Sequence, residues 1–307
     1  MLSRVRGFEV LAISGILYVA KFFLPVTFLT DVAIFSIYVL AFDLLYGYMG
    51  WLSFGHMLYL GVGAYSIALF LKFVNPNGLI GIPVALLAGA VVGLLIGPVV
   101  LRRGGAYFAL VNLAFNEIVY FLLLIPLRDY TGGNDGTYFN VIRTPIDLAD
   151  GEVFFVFVLL CLFLAGLTFK YIIGSPFGFL LRAIKENEVK VAFLGYNPFR
   201  IKYVAFIIST VLSAFAGALY TLHYSYVAPS FIDPLRSAEV VIASLLGGPG
   251  TFFGAYVGAA GLIGMKDLIS MYTGTWELVL GIVIIIIMYR FKRGIWGYVE
   301  KTFAGRQ

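Results

Sequence analysis

The sequence is poor in charge, in cysteine and in histidine. Only 12% of its 307 residues are Asp, Glu, Lys or Arg, whereas 61% are hydrophobic. That excludes a soluble domain of this length, because no single core hides so much apolar surface. One cysteine, Cys161, lies inside the apolar run from Val153 to Phe169, so an intramolecular disulfide is excluded. Two histidines, His56 and His223, are too few for a metal site without help from carboxylates. No G-x-x-x-x-G-K-[S/T] phosphate loop, H-E-x-x-H pair or G-x-S-x-G nucleophile elbow occurs, which argues against an enzyme and against ATP hydrolysis by this chain. The net charge of +5 does not point to nucleic acid, because the Lys and Arg residues fall in the gaps between apolar runs.

What is present is one apolar run after another, the pattern of an all-α polytopic transmembrane bundle in a single domain over residues 1–307. A helix needs about 20 apolar residues to cross a hydrocarbon core of roughly 30 Å. Spans are predicted at 8–28, 31–49, 56–73, 79–101, 106–127, 152–173, 201–226 and 275–290. The first is read as a retained span, being too long for the apolar region of a cleaved signal peptide. Residues 237–265 are interrupted by Gly247, Gly248, Pro249 and Gly250. The ten residues before the break reach roughly 15 Å as a helix, so a re-entrant pair of half-helices is expected there.

Charge placement orients the map. One side collects Arg4, Arg6, Arg102, Arg103, Lys170, Arg182, Lys185, Lys190, Arg200, Lys202, Arg290, Lys292, Arg293, Lys301 and Arg306. The other holds only Lys72, Arg128, Arg143, Arg236 and Lys266, with Lys21 left inside a span. The positive-inside rule then makes both termini cytoplasmic. The largest outer loop, 128–152, is acid-rich, with Asp129, Asp135, Asp147, Asp150 and Glu152. Gly47, Gly50 and Gly55 around WLSF, and Gly247, Gly248, Gly250 and Gly254 around TFF, form a faint internal symmetry. Broken membrane segments in matching positions are how inverted-repeat transporters build a central pathway.

The longest polar interruption is residues 174–202. Ser175–Pro176 is an N-cap followed by an N1 proline, and Asn197–Pro198 repeats the device. Phe177, Leu180, Leu181 and Ile184 share one helix face, with Arg182 and Lys185 turned away. Asn187 is expected to cap a second short helix that stops at Gly195. The apolar face suits either the inner membrane surface or a groove on a partner.

The run SPFGFLLRAIKENEVKVAFLGYNPFRIKYVAF resembles the cytoplasmic loop of branched-chain amino acid ABC transporter permeases of the LivM type. DLLYGYMGWLSFGHMLYLGVGAYSIALFL, LRRGGAYFALVNLAFNEIV, TGGNDGT and SLLGGPGTFFGAYVGA resemble further stretches of that family in the same order. The resemblance implies a permease subunit of an ATP-driven importer in the inner membrane. It would pair with a second, LivH-like permease and work with two ATPase subunits and an external substrate-binding protein. ATP and Mg would belong to the ATPases, leaving no cofactor in this chain. It also implies that Arg182, Lys185, Glu186, Asn187, Glu188 and Gly195 occupy the ATPase contact region. Lys190 and Val191 depart from the small alanines expected there.

Polar residues inside spans mark the remaining candidates. Asp43, Ser53, His56, Asn112, Asn116, Glu117, Gly247 and Gly248 are candidates for the pathway, because polar groups within a membrane face the bundle interior; hydrogen bonding between helices is the alternative for Asp43, Asn112, Asn116 and Glu117, and a packed, hydrogen-bonded ring for His56. Asn112 and Asn116 share a helix face, and Glu117 points about 100° away from Asn116. Two other readings stay open: an ion-coupled secondary transporter using Asp43 and Glu117, and a permease of the same family carrying urea or short amides. In TGGNDGT, Thr131, Asn134 and Asp135 serve either a binding-protein contact or a tight outer turn.

Overall fold

The computed structural model describes residues 2–139, 148, 150–290 and 294–304, with nothing said of the side chains of 2–6, 276–277, 287–288 and 301–304. The inner-face basic side chains expected at Arg4, Arg6, Lys292, Arg293, Lys301 and Arg306, and Arg143 and Asp147 of the outer loop, lie outside that description.

The described residues form thirteen α-helices. These are α1 (Leu2–Ala20), α2 (Val26–Asp43, prolonged by a π turn at Leu44–Tyr48), α3 (Met57–Phe73), α4 (Gly78–Val100), α5 (Ala106–Leu124) and the single turn α6 (Arg128–Thr131). There follow α7 (Gly151–Ile173), α8 (Pro176–Phe193), α9 (Pro198–Tyr224), α10 (Ser237–Gly247), α11 (Phe252–Ser270), α12 (Trp276–Arg290) and α13 (Gly294–Ala304). Six apolar helices are long enough to cross a membrane: α2 with its π turn, α4, α5, α7, α9 and α11. The chain is a multi-pass membrane protein.

Most predicted spans agree with these helices to within a few residues. The first two do not. The expected helix over 8–28 ends at Ala20, because Pro25 cannot continue it and instead begins α2 with φ −58°. Lys21 is therefore not inside a span but in the intervening turn, where its ammonium donates to Glu152 at 2.9 Å. The second break also differs in proportion from a pair of half-helices. α10 has 11 residues, too few to cross, but α11 has 19.

α2 carries no continuous polar face, only scattered polar residues, and is enclosed by α7, α9 and α11. α9 packs against α2, α3 and α4. Its contact with α4 runs along Gly89, Gly93 and Gly97, where added Cβ atoms would meet Ala214, Thr210 and Tyr203. This small residue every fourth position lets two membrane helices approach closely. At the far end of α9, β2 (Tyr226–Val227) pairs antiparallel with β1 (Thr137–Tyr138).

Candidate functional site

Two features of the sequence meet in space: the glycine break after α2 and the break between α10 and α11. Asp43, the last residue of α2, is 2% exposed. Its carboxylate accepts from Ser244 Oγ at 3.0 Å and from the Gly250 amide at 3.1 and 3.0 Å. A side chain at Gly47 would collide with both the Asp43 carboxylate and the Gly250 amide, so the two backbones approach this closely only because Gly47 has no Cβ. Gly248 (φ 116°) and Gly250 (φ 80°) supply the turn that aims the amide. Thr251 Oγ1 closes that turn on the Gly248 carbonyl at 2.7 Å, and Gly294 at the start of α13 lies against Gly248. Irregular backbone at membrane depth is tolerated only when buried in protein or lining a cavity, and here each break completes the other. Lys185 of α8 reaches in from outside and donates to the Gly47 carbonyl at 2.6 Å.

A second polar group lies on the α3 side. His56 is fully buried, with Nε2 2.9 Å from Ser213 Oγ and 3.4 Å from Ser209 Oγ, among the rings of Tyr38, Phe42 and Tyr59. Asn112 Oδ1 accepts from the Tyr59 hydroxyl, and its amide donates to the Phe108 carbonyl at 2.8 Å. Asn112 and Asn116 are both buried on the inner face of α5. Among the described residues, the Asn116 amide, Ser53 Oγ and His56 Nδ1 have no hydrogen-bond partner. Glu117 does not join them: it is exposed on the opposite side of α5, in a stripe with Tyr107, Leu110, Ile118 and Phe121. The expected pathway residues therefore divide into a junction (Asp43, Gly247, Gly248), an interior group (Ser53, His56, Asn112, Asn116) and one outward carboxylate. Cys161 is free and buried.

The 174–202 segment folds as its caps require. Ser175 Oγ accepts from the Gly178 amide, and Asn197 Oδ1 from the Arg200 amide. At Asn187 the helical geometry breaks (φ −161°, ψ 100°), and its Oδ1 accepts from the Lys190 amide at 3.0 Å, starting the second short helix. Gly195 ends it at φ 89°. The apolar face is not offered to a partner, because Leu181 and Ile184 are buried against this chain, as is Val191. What faces out is polar Glu186, Asn187 and Lys190, followed by Phe193 and Leu194, 87% and 76% exposed. Several contact-region residues anchor α8 from within. Arg182 donates to the Ile173 carbonyl at 2.5 Å, and Glu188 pairs with Lys202 at 2.6 Å. Lys202 is itself 4% exposed, with its ammonium over the Trp51 ring.

In TGGNDGT, Thr131 is buried and accepts from the Gly133 amide, and three glycines at positive φ make the turn. Only Asn134 and Asp135 face outward. A further polar cluster escaped sequence reasoning. Asp31, Tyr38 and Arg236 line one cavity at the end of the bundle remote from α8. The available signal was Asp31 itself, a carboxylate that opens the predicted 31–49 span and falls well inside α2 once Pro25 is taken as the boundary.

The family described as branched-chain amino acid transport system, permease component, matches residues 24–288. The chain is 29% identical over 291 residues to the high-affinity branched-chain amino acid transport system permease protein LivM of Salmonella typhimurium, covering 87% of this chain and 68% of that one. It is 29% identical to LivM of Escherichia coli, over 85% of this chain and 67% of the relative. The LivH permease protein of Salmonella typhimurium is 29% identical over 41% of each. No solved structure matches. The chain belongs to the branched-chain amino acid permease family, whose members are transport components and not enzymes.

Proposed function

We propose that this member of the branched-chain amino acid permease family is the membrane-spanning subunit of an ATP-driven importer of branched-chain amino acids. A second, LivH-like permease, two ATPase subunits and an external binding protein complete it. ATP and Mg belong to the ATPases. The chain sits in the plasma (inner) membrane with both termini cytoplasmic, and α8 faces the ATPase.

The observation that carries this reading is the mounting of α8. Its apolar face is used internally, its outer face is free, and Lys185 links it to the backbone of the glycine junction. A push on α8 is thereby transmitted to the break that joins α2 to the α10–α11 turn. Glu117 supports a permease partner. A charge near the centre of a lipid-facing helix costs about 2.5–3.5 kcal/mol on insertion scales, and a protein neighbour over α5 removes that cost. The same placement speaks against ion coupling through Asp43 and Glu117: one carboxylate is locked by two donors through three contacts and the other faces away from the interior.

Proteoliposomes decide it. Leucine uptake is expected only when the permease pair, the ATPases and ATP are present together with the binding protein. Gradient-driven uptake by this chain alone overturns the reading.

A further inference from the structure

Between α2, α3, α9, α10 and α11 lies a cavity of about 300 Å³, the lower end of the size range of small-molecule sites. It lies roughly 35 Å along α9 from α8, on the side where the proposed topology places the binding protein. Its wall combines aliphatic, acidic, basic and hydroxyl groups. Ile34, Leu60 and Leu262 are aliphatic. Asp31 accepts the Tyr224 hydroxyl on Oδ2 at 2.8 Å, but its Oδ1 is shielded from solvent and has no hydrogen-bond partner among the described residues; His223 Nε2 stands 3.9 Å away. Arg236 lies over the Phe231 ring, with its guanidinium centre 5.9 Å from the centroid, and no carboxylate pairs with it among the described residues. Tyr38 is fully buried, and its hydroxyl likewise lacks a partner. By contrast, Lys266 and Glu239 in the same wall neutralise each other at 3.2 Å.

Buried polar atoms are nearly always hydrogen-bonded. Two orphaned ones and an unpaired cation converging on one cavity call for a ligand that completes them. Such a ligand carries a cation for Asp31, an anion for Arg236, an acceptor for Tyr38 and an aliphatic body. We propose that this cavity, within the single chain, binds a zwitterionic aliphatic amino acid, with Arg236 on its carboxylate, Asp31 on its ammonium and Tyr38 donating to the carboxylate. The assignment rests on the reading of the chain as an amino acid permease. It adds a site inside one subunit, where α9 and the α10–α11 hairpin that meets the glycine junction both form the wall.

The test is equilibrium binding of tritiated L-leucine to the full chain in lipid nanodiscs. Binding is expected to be saturable and not displaced by 4-methylpentanoate, which lacks the amine, or 3-methylbutylamine, which lacks the carboxylate. Arg236→Gln and Asp31→Asn should each weaken it about tenfold, the loss of one charge-assisted hydrogen bond. Tyr38→Phe, which keeps the ring in its packing, should weaken it about threefold, the loss of one neutral hydrogen bond. Absence of saturable binding to chain that retains its thermal transition, or binding undiminished in Arg236→Gln and Asp31→Asn, overturns the site. Leucine uptake by the complete transporter that is undiminished in those two variants also overturns it, and leaves the permease reading standing. Leucine held in the cavity with both charges required, by a chain that never couples to ATPases, supports the site and removes the importer reading instead.

Discussion

Gly47 has no room for even one more carbon, because its α-carbon sits between the Asp43 carboxylate and the Gly250 amide. Gly47→Ala is therefore expected to destabilise the chain by about 1–3 kcal/mol, the range for overpacking a closed interior, read as a lower thermal transition in nanodiscs. A free intramembrane charge at Asp43 would be costly, and two donors, Ser244 Oγ and the Gly250 amide, hold it. Its role as a tie between breaks was not legible from residue type alone. An intramembrane aspartate reads equally as a pathway group until its partners, 201 and 207 residues away in sequence, are seen. The interior placement of His56, Asn112 and Asn116 was more accessible. Asn112 and Asn116 are separated by one helical turn and share a face by geometry, and that face is the buried one.

At the scale of elements, α8 shows how far local signals reach. Ser175, Asn187, Gly195 and Asn197 each stand where a cap or stop is needed, and each performs that task. Which side of the helix meets a partner was not encoded locally, since an apolar stripe serves its own bundle or another chain equally well. Here Leu181 and Ile184 pack inward, and Val191, the departure from the expected alanine, packs inward with them. The outer face carries Glu186 and Lys190. Glu186→Lys is expected to reduce co-purification of the ATPase several-fold while leaving the thermal transition of the permease unchanged. Glu188→Lys should lower both, because it also breaks the pair with Lys202. Equal ATPase recovery from wild type and Glu186→Lys would remove this face from the interface.

For the whole molecule, the exposed stripe of α5 is the face on which the proposed second permease would sit. Glu117→Cys, in a chain whose buried Cys161 is replaced by Ala and labelled with a thiol-specific photo-cross-linker, is expected to cross-link to the second permease in native membranes; labelling by lipid-phase reagents with no cross-link would place α5 against lipid. Composition and charge patterning by themselves determined that the chain is a polytopic helical membrane protein, where most of its helices run and where α8 is capped, because hydropathy, capping and proline are local properties of a few consecutive residues. Only the tertiary structure decided that the two glycine breaks meet at Asp43, that the apolar face of α8 is spent internally, that Glu117 faces out, and that Asp31, Tyr38 and Arg236 share a cavity. Each of these depends on which distant segments pack together, and close packing is a property of pairs of helices that no single stretch of sequence contains.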